Sequence, residues 1–420
     1  MIELLRRNPD LRLVFLSQVV SFLGDWFADV ALLGLVLDLT DSPLAASLVM
    51  VATMLPIFLV TPLAGPMVDT FDRRRLILVV SAGQAVAALL LLGVDESTVW
   101  LAFVARAVIA ALSAFVGPAV QAAIPNLVAP ADLPRANALL GSVWGAMLAI
   151  GAALGGAFTV AFGRSASFVA DAATFFCAAV LIALVRRPMN APRESEVRRI
   201  RPVADTIEAF HYARSSRPLL LLLCSKSGLG LAGGVVPLLA VYGKEVFESG
   251  DLGIGLLLAA RGAGALIGPV LAQHRLVAGS AQTSVPAILY LCGAGAVVYC
   301  AGYLGVATSP VLALAVGGAF LAHLGGGAQW TLSNLGLQLA TSDAFRGRIF
   351  AADFALLTLT MSSSFLISGW VTTELGPRLV TVVLALIAGG WGVLYLALTR
   401  TVRRPRGARA SELHKPVDTP

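Results

Sequence analysis

The sequence predicts an all-α polytopic membrane protein of twelve transmembrane helices in two pseudo-symmetric six-helix halves, with both termini in the cytoplasm. Three observations carry that reading. The 420 residues are 58% hydrophobic and 13% charged, with mean hydropathy +0.85, whereas a soluble domain carries about 25% charged residues. Apolar windows long enough to cross a bilayer recur along almost the whole chain. Lys and Arg collect on alternate connections, as they do when one side of a membrane is cytoplasmic.

The windows fall at 11–37, 44–68, 76–93, 98–119, 138–162, 165–185, 218–242, 250–272, 284–305, 310–337, 351–373 and 378–399. The first follows Arg6, Arg7 and Arg12, is too long for a signal h-region and lacks a convincing cleavage site, so it stays as a span. The N-terminus, 69–75, 126–137, 186–217, 273–283, 341–349 and the C-terminal tail hold 24 of the 30 Lys and Arg. The other side receives only Arg164, Lys244 and Arg378. The net charge of +6 is therefore read as topology rather than as affinity for nucleic acid. Cys177, Cys224, Cys292 and Cys300 all lie within apolar runs, with no CxxC pair and no metal-ligand spacing.

Four segments follow from this layout: an N-terminal half at 1–185, a cytoplasmic linker at 186–217, a C-terminal half at 218–400 and a basic tail at 401–420. The linker carries eight arginines and four acids. Within it, Val203, Ile207 and Phe210 share one face of a stretch ending at Ala213, as in an interfacial amphipathic helix. The halves echo each other: Gly65-Pro66 recurs as Gly268-Pro269, Gln121, Asn126 and Leu127 as Gln329, Asn334 and Leu335, and Asp132-x-x-Arg135 as Asp343-x-x-Arg346. Repeats of this kind are common in secondary transporters.

The connection Gly65-Pro-Met-Val-Asp69-Thr-Phe-Asp72-Arg73-Arg74-Arg75 resembles the G-x-x-x-D-R-x-G-R-R/K signature of the major facilitator superfamily. Gly65, Asp69, Arg73 and Arg74 match it, while Thr70 and Asp72 replace the usual Arg and Gly. The resemblance implies the major facilitator fold and a cytoplasmic gate in which Asp69 pairs across the interface between halves. Arg106 stands where proton-coupled members carry R-x-x-x-G, with Ala110 at the glycine position. Gly151, Gly155 and Gly156 are similar to the antiporter motif of the fifth span, with Ala152 in place of its proline, and they equally suit close helix packing. Ser21 to Asp29, Phe210-His-Tyr and Arg346-Gly-Arg-Ile-Phe look like the enterobactin-exporter and macrolide-efflux branch.

Charges inside the bilayer cost at least about 2.5–3.5 kcal/mol each on insertion scales, which makes them candidates for function. Asp25, Asp29 and Asp171 accompany Arg106, Lys226 and Arg261 as a balanced set. Asp25 and Asp29 are four residues apart and share a helix face with Gln18 and Ser21. Two carboxylates so placed repel each other, which suits one of them to take up a proton while Arg106 holds the other ionised. Asp25 is the expected carrier, with Asp29 second; a static Asp–Arg pair that locks helices is the competing reading.

Lys226, Arg261 and His323 give the second half a positive or titratable lining for an anionic or mixed-charge substrate, although Arg261 also suits a structural ion pair and His323 a plain core position. Asp171 lies near the external end of its span, where it can snorkel to water. Asp353 is expected to cap the eleventh helix. Trp26 and Trp330 are the candidate aromatic cavity residues.

No Walker A sequence, HExxH or GxSxG is present and no room is left for a catalytic lobe. The chain is thus expected to be neither an enzyme nor an ATP-driven pump, and to need no cofactor or metal. The leading expectation is a secondary transporter that exports an amphipathic organic molecule, drug-like or siderophore, by proton antiport. Its partners are the small-molecule substrate, protons and membrane lipids, with no nucleic acid, in a monomer of the bacterial inner membrane. Export direction and substrate class rest on the branch resemblance. The alternatives are a symporter or facilitator importing a small metabolite, and a non-transport sensor or scaffold.

Overall fold

The computed structural model describes residues 2–190, 208, 211–214, 216–279 and 284–403. A short helix α1 (Ile2–Arg7) precedes six spans: α2 (Pro9–Thr40), α3 (Pro43–Thr70), α4 (Arg73–Leu90), α5 (Val99–Leu127), α6 (Leu133–Phe162) and α7 (Arg164–Ala183). Proline near the first position starts α2, α3 and α6, where its missing N–H costs nothing. Asp72 caps α4 by accepting from the Arg75 N–H at 2.9 Å. Asp41 ends α2 in the left-handed region at φ 45°, its N–H returned to the Leu37 carbonyl.

The helices run further than the apolar windows at the end that bears Arg73 and Arg74. There α5 reaches Leu127 rather than 119, and α6 begins at Leu133 rather than 138. Those turns carry Gln121, Pro125, Asn126, Pro134, Arg135 and Asn137, which break the apolar run before the helix ends.

The seventh span, expected as one helix, is broken into α8 (Arg217–Cys224), α9 (Ser227–Leu231) and α10 (Val235–Val241), followed by a π turn at Tyr242–Val246. Neighbouring helices satisfy the backbone groups that the breaks free. Gln329 donates to the Ser225 carbonyl at 2.6 Å. The Ser364 hydroxyl accepts from the Gly234 N–H at 2.9 Å and donates to the Leu231 carbonyl at 2.6 Å, and Ser368 donates to the Gly234 carbonyl. Broken helices survive at membrane depth only with such partners.

Next come α11 (Gly250–Gly279), α12 (Val285–Thr308) and α13 (Leu312–Ala340). The final helical element, Asp343–Arg403, reverses at Gly376 (φ 75°, ψ 157°), a conformation open to glycine and followed by Pro377. It therefore forms two spans, α14 (343–375) and α15 (377–403). Asp353 meets Lys226, Tyr242 donates to the Pro377 carbonyl, and Tyr395 donates to the Leu221 carbonyl, so the chain travels up the seventh span and back. The twelve expected spans are all present.

The apolar core has a telling distribution. One large cluster joins both halves, from Trp26 and Leu148 to Leu257 and Tyr303. Two others stay within a single half: Leu11, Val14, Ile124 and Ile182 in the first, Leu222, Ile288, Leu332 and Tyr395 in the second. Both lie toward the Arg73 end. The halves thus pack together through the middle and at the far end, and keep separate cores at the arginine end.

The amphipathic stretch expected at Val203 to Ala213 and the tail from 404 onward lie largely or wholly outside the described residues.

Candidate functional site

The first cluster forms where α2, α5 and α7 meet. Arg106 pairs with Asp29: Nη2 donates to Oδ2 at 3.1 Å, and Nε lies 2.8 Å from Oδ1 as an ion-pair contact. The fork geometry matches a carboxylate and fixes both side chains. Asp25, one turn back on α2, and Asp171 lie within electrostatic reach of the same guanidinium. Asp171 does not snorkel: it is 1% exposed, seven residues into α7, and its Oδ1 has no hydrogen-bond partner. Gly24 makes room for it, since a Cβ there would come within 2.8 Å of that oxygen. Three carboxyls therefore share one guanidinium.

The glycines of α6 set this cluster against the second half. A Cβ at Gly151 would press on Trp26, and one at Gly155 would come within 2.9 Å of the Trp26 carbonyl. Gly156 faces the other way, onto Asp251 and Gly255 of α11. One helix thus packs closely on α2 and α11 at once.

The second half distributes its charges differently. Lys226, at the first break of the seventh span, is 3% exposed and bonds Asp353 at 2.5 Å and Asn334 at 2.6 Å, with its ammonium 5.1 Å from the Trp330 ring centre. Asp353 is therefore no helix cap. α14 starts at 343, eight residues earlier than expected, which carries Asp353 into the third turn and the interior. The balanced six-charge set becomes seven, with Asp353 committed to Lys226. Arg261 on α11 lies near Tyr299, Tyr303 and His323, where the Tyr303 hydroxyl and His323 Nε2 are 2.8 Å apart. Trp330, at 40% exposure, is open rather than enclosed, while Trp26 is packed.

Arg164 and Lys244, which the sequence marked only for topology, close the far end together with Asp38 and Asp251, which the sequence did not single out. Arg164 of α7 donates to both oxygens of Asp251 at 2.9 and 3.0 Å and also pairs with Asp38, which pairs in turn with Lys244. Lys244 further donates to the Gly34 carbonyl at 3.3 Å. Asp38 and Arg164 belong to the first half, Lys244 and Asp251 to the second, so this clasp spans the interface. Its sequence signal was the scarcity of charge on that side, with four charged groups close to span ends.

The arginine end differs. Arg73 donates to the Ala122 and Met189 carbonyls at 3.0 and 2.9 Å, and Arg74 to the Arg187 carbonyl at 3.2 Å, all within the first half and the start of the linker. Nothing lies within 4 Å of a Cβ placed at Gly65, Gly141 or Gly347. Among the described residues no ion pair joins the two halves there; the side chain of Asp69 is outside that description.

Comparison with known proteins agrees with this architecture. Residues 14–281 match the model of the Major Facilitator Superfamily. A Bacillus subtilis protein described as an uncharacterized MFS-type transporter, YfiS, is 29% identical over 197 residues, 46% of this chain and 47% of that one. The multidrug efflux pump Tap of Mycobacterium tuberculosis is 32% identical over 188 residues, 43% and 45% of the two chains. The chain thus spans about half the length of the curated relatives it matches. Among solved structures, a POT family transporter superposes with TM-score 0.77 at 11% identity, covering 94% of this chain and 96% of the other. A bacterial homologue of the lysosomal transporter Spinster, inward-facing and unoccupied, gives 0.72 at 15% identity with 94% and 98% covered. Sequence and fold agree on a multi-pass membrane protein, and the chain belongs to the Major Facilitator Superfamily.

Proposed function

We propose that the chain exports amphipathic organic molecules from the cytoplasm by proton antiport. The observation that carries the reading is the cluster of Asp25, Asp29 and Asp171 around the single guanidinium of Arg106. Full ionisation would leave excess negative charge in a low-dielectric interior, so the cluster is stable either with a proton or with a cationic cargo, and the two compete. Asp29 is committed to Arg106, which leaves Asp25 and Asp171 to exchange the proton, with Asp25 favoured as the carrier.

Positive-inside topology makes the arginine end cytoplasmic. The state described above is then open to the cytoplasm and clasped outside by Arg164, Asp38, Asp251 and Lys244. Cargo enters from the cytoplasm beside Trp330 and displaces the proton. Opening the clasp and closing the Gly65 to Arg74 connection exposes the cargo outside, where protonation releases it. All these residues come from one chain, so a monomer suffices. Similarity to pumps described as multidrug efflux pumps supports export of drug-like cargo.

The test is accumulation of ethidium in cells that lack their own pumps. The protein should lower dye content, and both Asp25→Asn and a protonophore should abolish the effect. Unchanged dye content with folded protein in the membrane, or efflux indifferent to the protonophore, overturns the proposal.

A further inference from the structure

The geometry points to an anion-receiving subsite at Arg261, which makes a zwitterionic amphiphile, cationic at one end and carboxylate at the other, the preferred class of cargo. This rests on the exporter reading and extends it. Three cations sit within the spans away from both ends. Arg106 has Asp29 and Lys226 has Asp353. Arg261 has no carboxylate within 4.0 Å among the described residues, and its buried Nε has no hydrogen-bond partner. Its surroundings are Tyr299, Tyr303 and His323, groups that bring no formal negative charge.

A guanidinium held inside a membrane without a counter-ion is costly. It is tolerable where a cavity supplies water between cycles and the cargo supplies the anion. The planar fork suits a carboxylate in two-point contact. Tyr299 and Tyr303, with ring centres 4.8 Å apart, pack beside it within the apolar core, the Tyr303 hydroxyl bonded to His323.

The subsite and the carboxyl cluster lie at the same depth. α6 touches Trp26, the neighbour of Asp25, at Gly151, and touches Gly262, the neighbour of Arg261, at Ala149. Those two points on α6 are two residues apart, roughly 3 Å along the helix axis. Trp26, Tyr299 and Tyr303 also share one apolar cluster. At one depth the first half therefore presents negative charge and the second half positive charge, with apolar residues packed between them.

The experiment is equilibrium binding to the purified full chain of two dyes on one scaffold: rhodamine B, which carries a free carboxylate, and its ethyl ester, which is only cationic. Hydrogen bonds to a charged group contribute about 1.5–3 kcal/mol, so Arg261→Gln should weaken rhodamine B by about tenfold or more and the ester by less than about threefold. Arg261→Lys, which keeps the charge, should recover most of the rhodamine B affinity. Asp25→Asn should weaken both dyes alike. Equal loss of both dyes in Arg261→Gln, or no loss of either, overturns the subsite while ester binding leaves the exporter reading intact. Failure of the wild-type chain to bind either dye overturns both.

Discussion

The interior of the first half holds three carboxyls against one guanidinium; that of the second holds two cations against one carboxyl, already taken by Lys226. The backbone differs as well. α2 is unbroken for 32 residues, whereas its counterpart, the seventh span, is interrupted twice. A duplicated scaffold has thus kept its helix order while its two walls took opposite charge and different rigidity. The lesson is that pseudo-symmetry governs packing, and departures from it mark the charged positions on which the proposed exchange of proton and cargo rests.

The hardest test of this contrast removes one arginine from each half. Arg106→Gln leaves Asp29 buried without its partner, and breaking a buried pair costs about 3–5 kcal/mol. The melting temperature of the purified protein should fall steeply, and transport should be lost. Arg261→Gln breaks no ion pair and should change stability by less than about 1 kcal/mol. Equal destabilisation by the two substitutions would show that Arg261 has a structural counter-charge and that the walls are alike.

The Lys226 and Asp353 pair gives a second, slightly smaller effect. Lys226→Met alone strands a carboxyl that is 5% exposed and should melt early. Adding Asp353→Leu should recover most of the loss, because a buried pair often contributes little beyond its apolar replacement. A double variant no better than the single would mean that Lys226→Met loses its stability through the contacts of Lys226 with Asn334 and Trp330 rather than through its pair with Asp353.

How much of this was legible in the sequence depended on whether a feature was local. Span number, the close packing of Gly151, Gly155 and Gly156 and the pairing of Arg106 with an α2 carboxylate followed from hydropathy and spacing. Partners set by tertiary structure did not. Asp353 looked like a cap because the hydropathy window began eight residues after the helix does, and Asp171 looked interfacial because its distance from Arg164 suggested the rim. The breaks in the seventh span were hidden for a related reason: Gly228, Gly230, Gly233 and Gly234 are tolerated in any transmembrane helix, and only Ser364, Ser368 and Gln329 on other helices show where the backbone opens.

Rigidity offers the third test. Ser364→Ala removes one partner each from the Gly234 N–H and the Leu231 carbonyl, which should cost about 1–3 kcal/mol in the broken span. Ser17→Ala in α2 removes only a bond to the Val14 carbonyl within its own helix, at 2.7 Å, and should be nearly silent in the same melting assay. If both are silent, the break is held by packing alone.

The most informative population shift belongs to Arg164→Gln, with only a modest stability effect. The clasp is partly open to water, so its pairs contribute up to about 1 kcal/mol apiece rather than the larger sum expected of a buried network. Losing about 1 kcal/mol that only the clasped state enjoys changes the ratio of clasped to open molecules by about fivefold. Spin labels at Ser42 and Val311, one on the far end of each half, should report a larger long-distance fraction in the variant, while labels at Gly141 and Gly347 at the arginine end should report a smaller one. The two shifts must move oppositely if the halves rock about their shared core. A change confined to the far end would mean that the clasp fastens loops, and that alternation is governed by the charged walls alone.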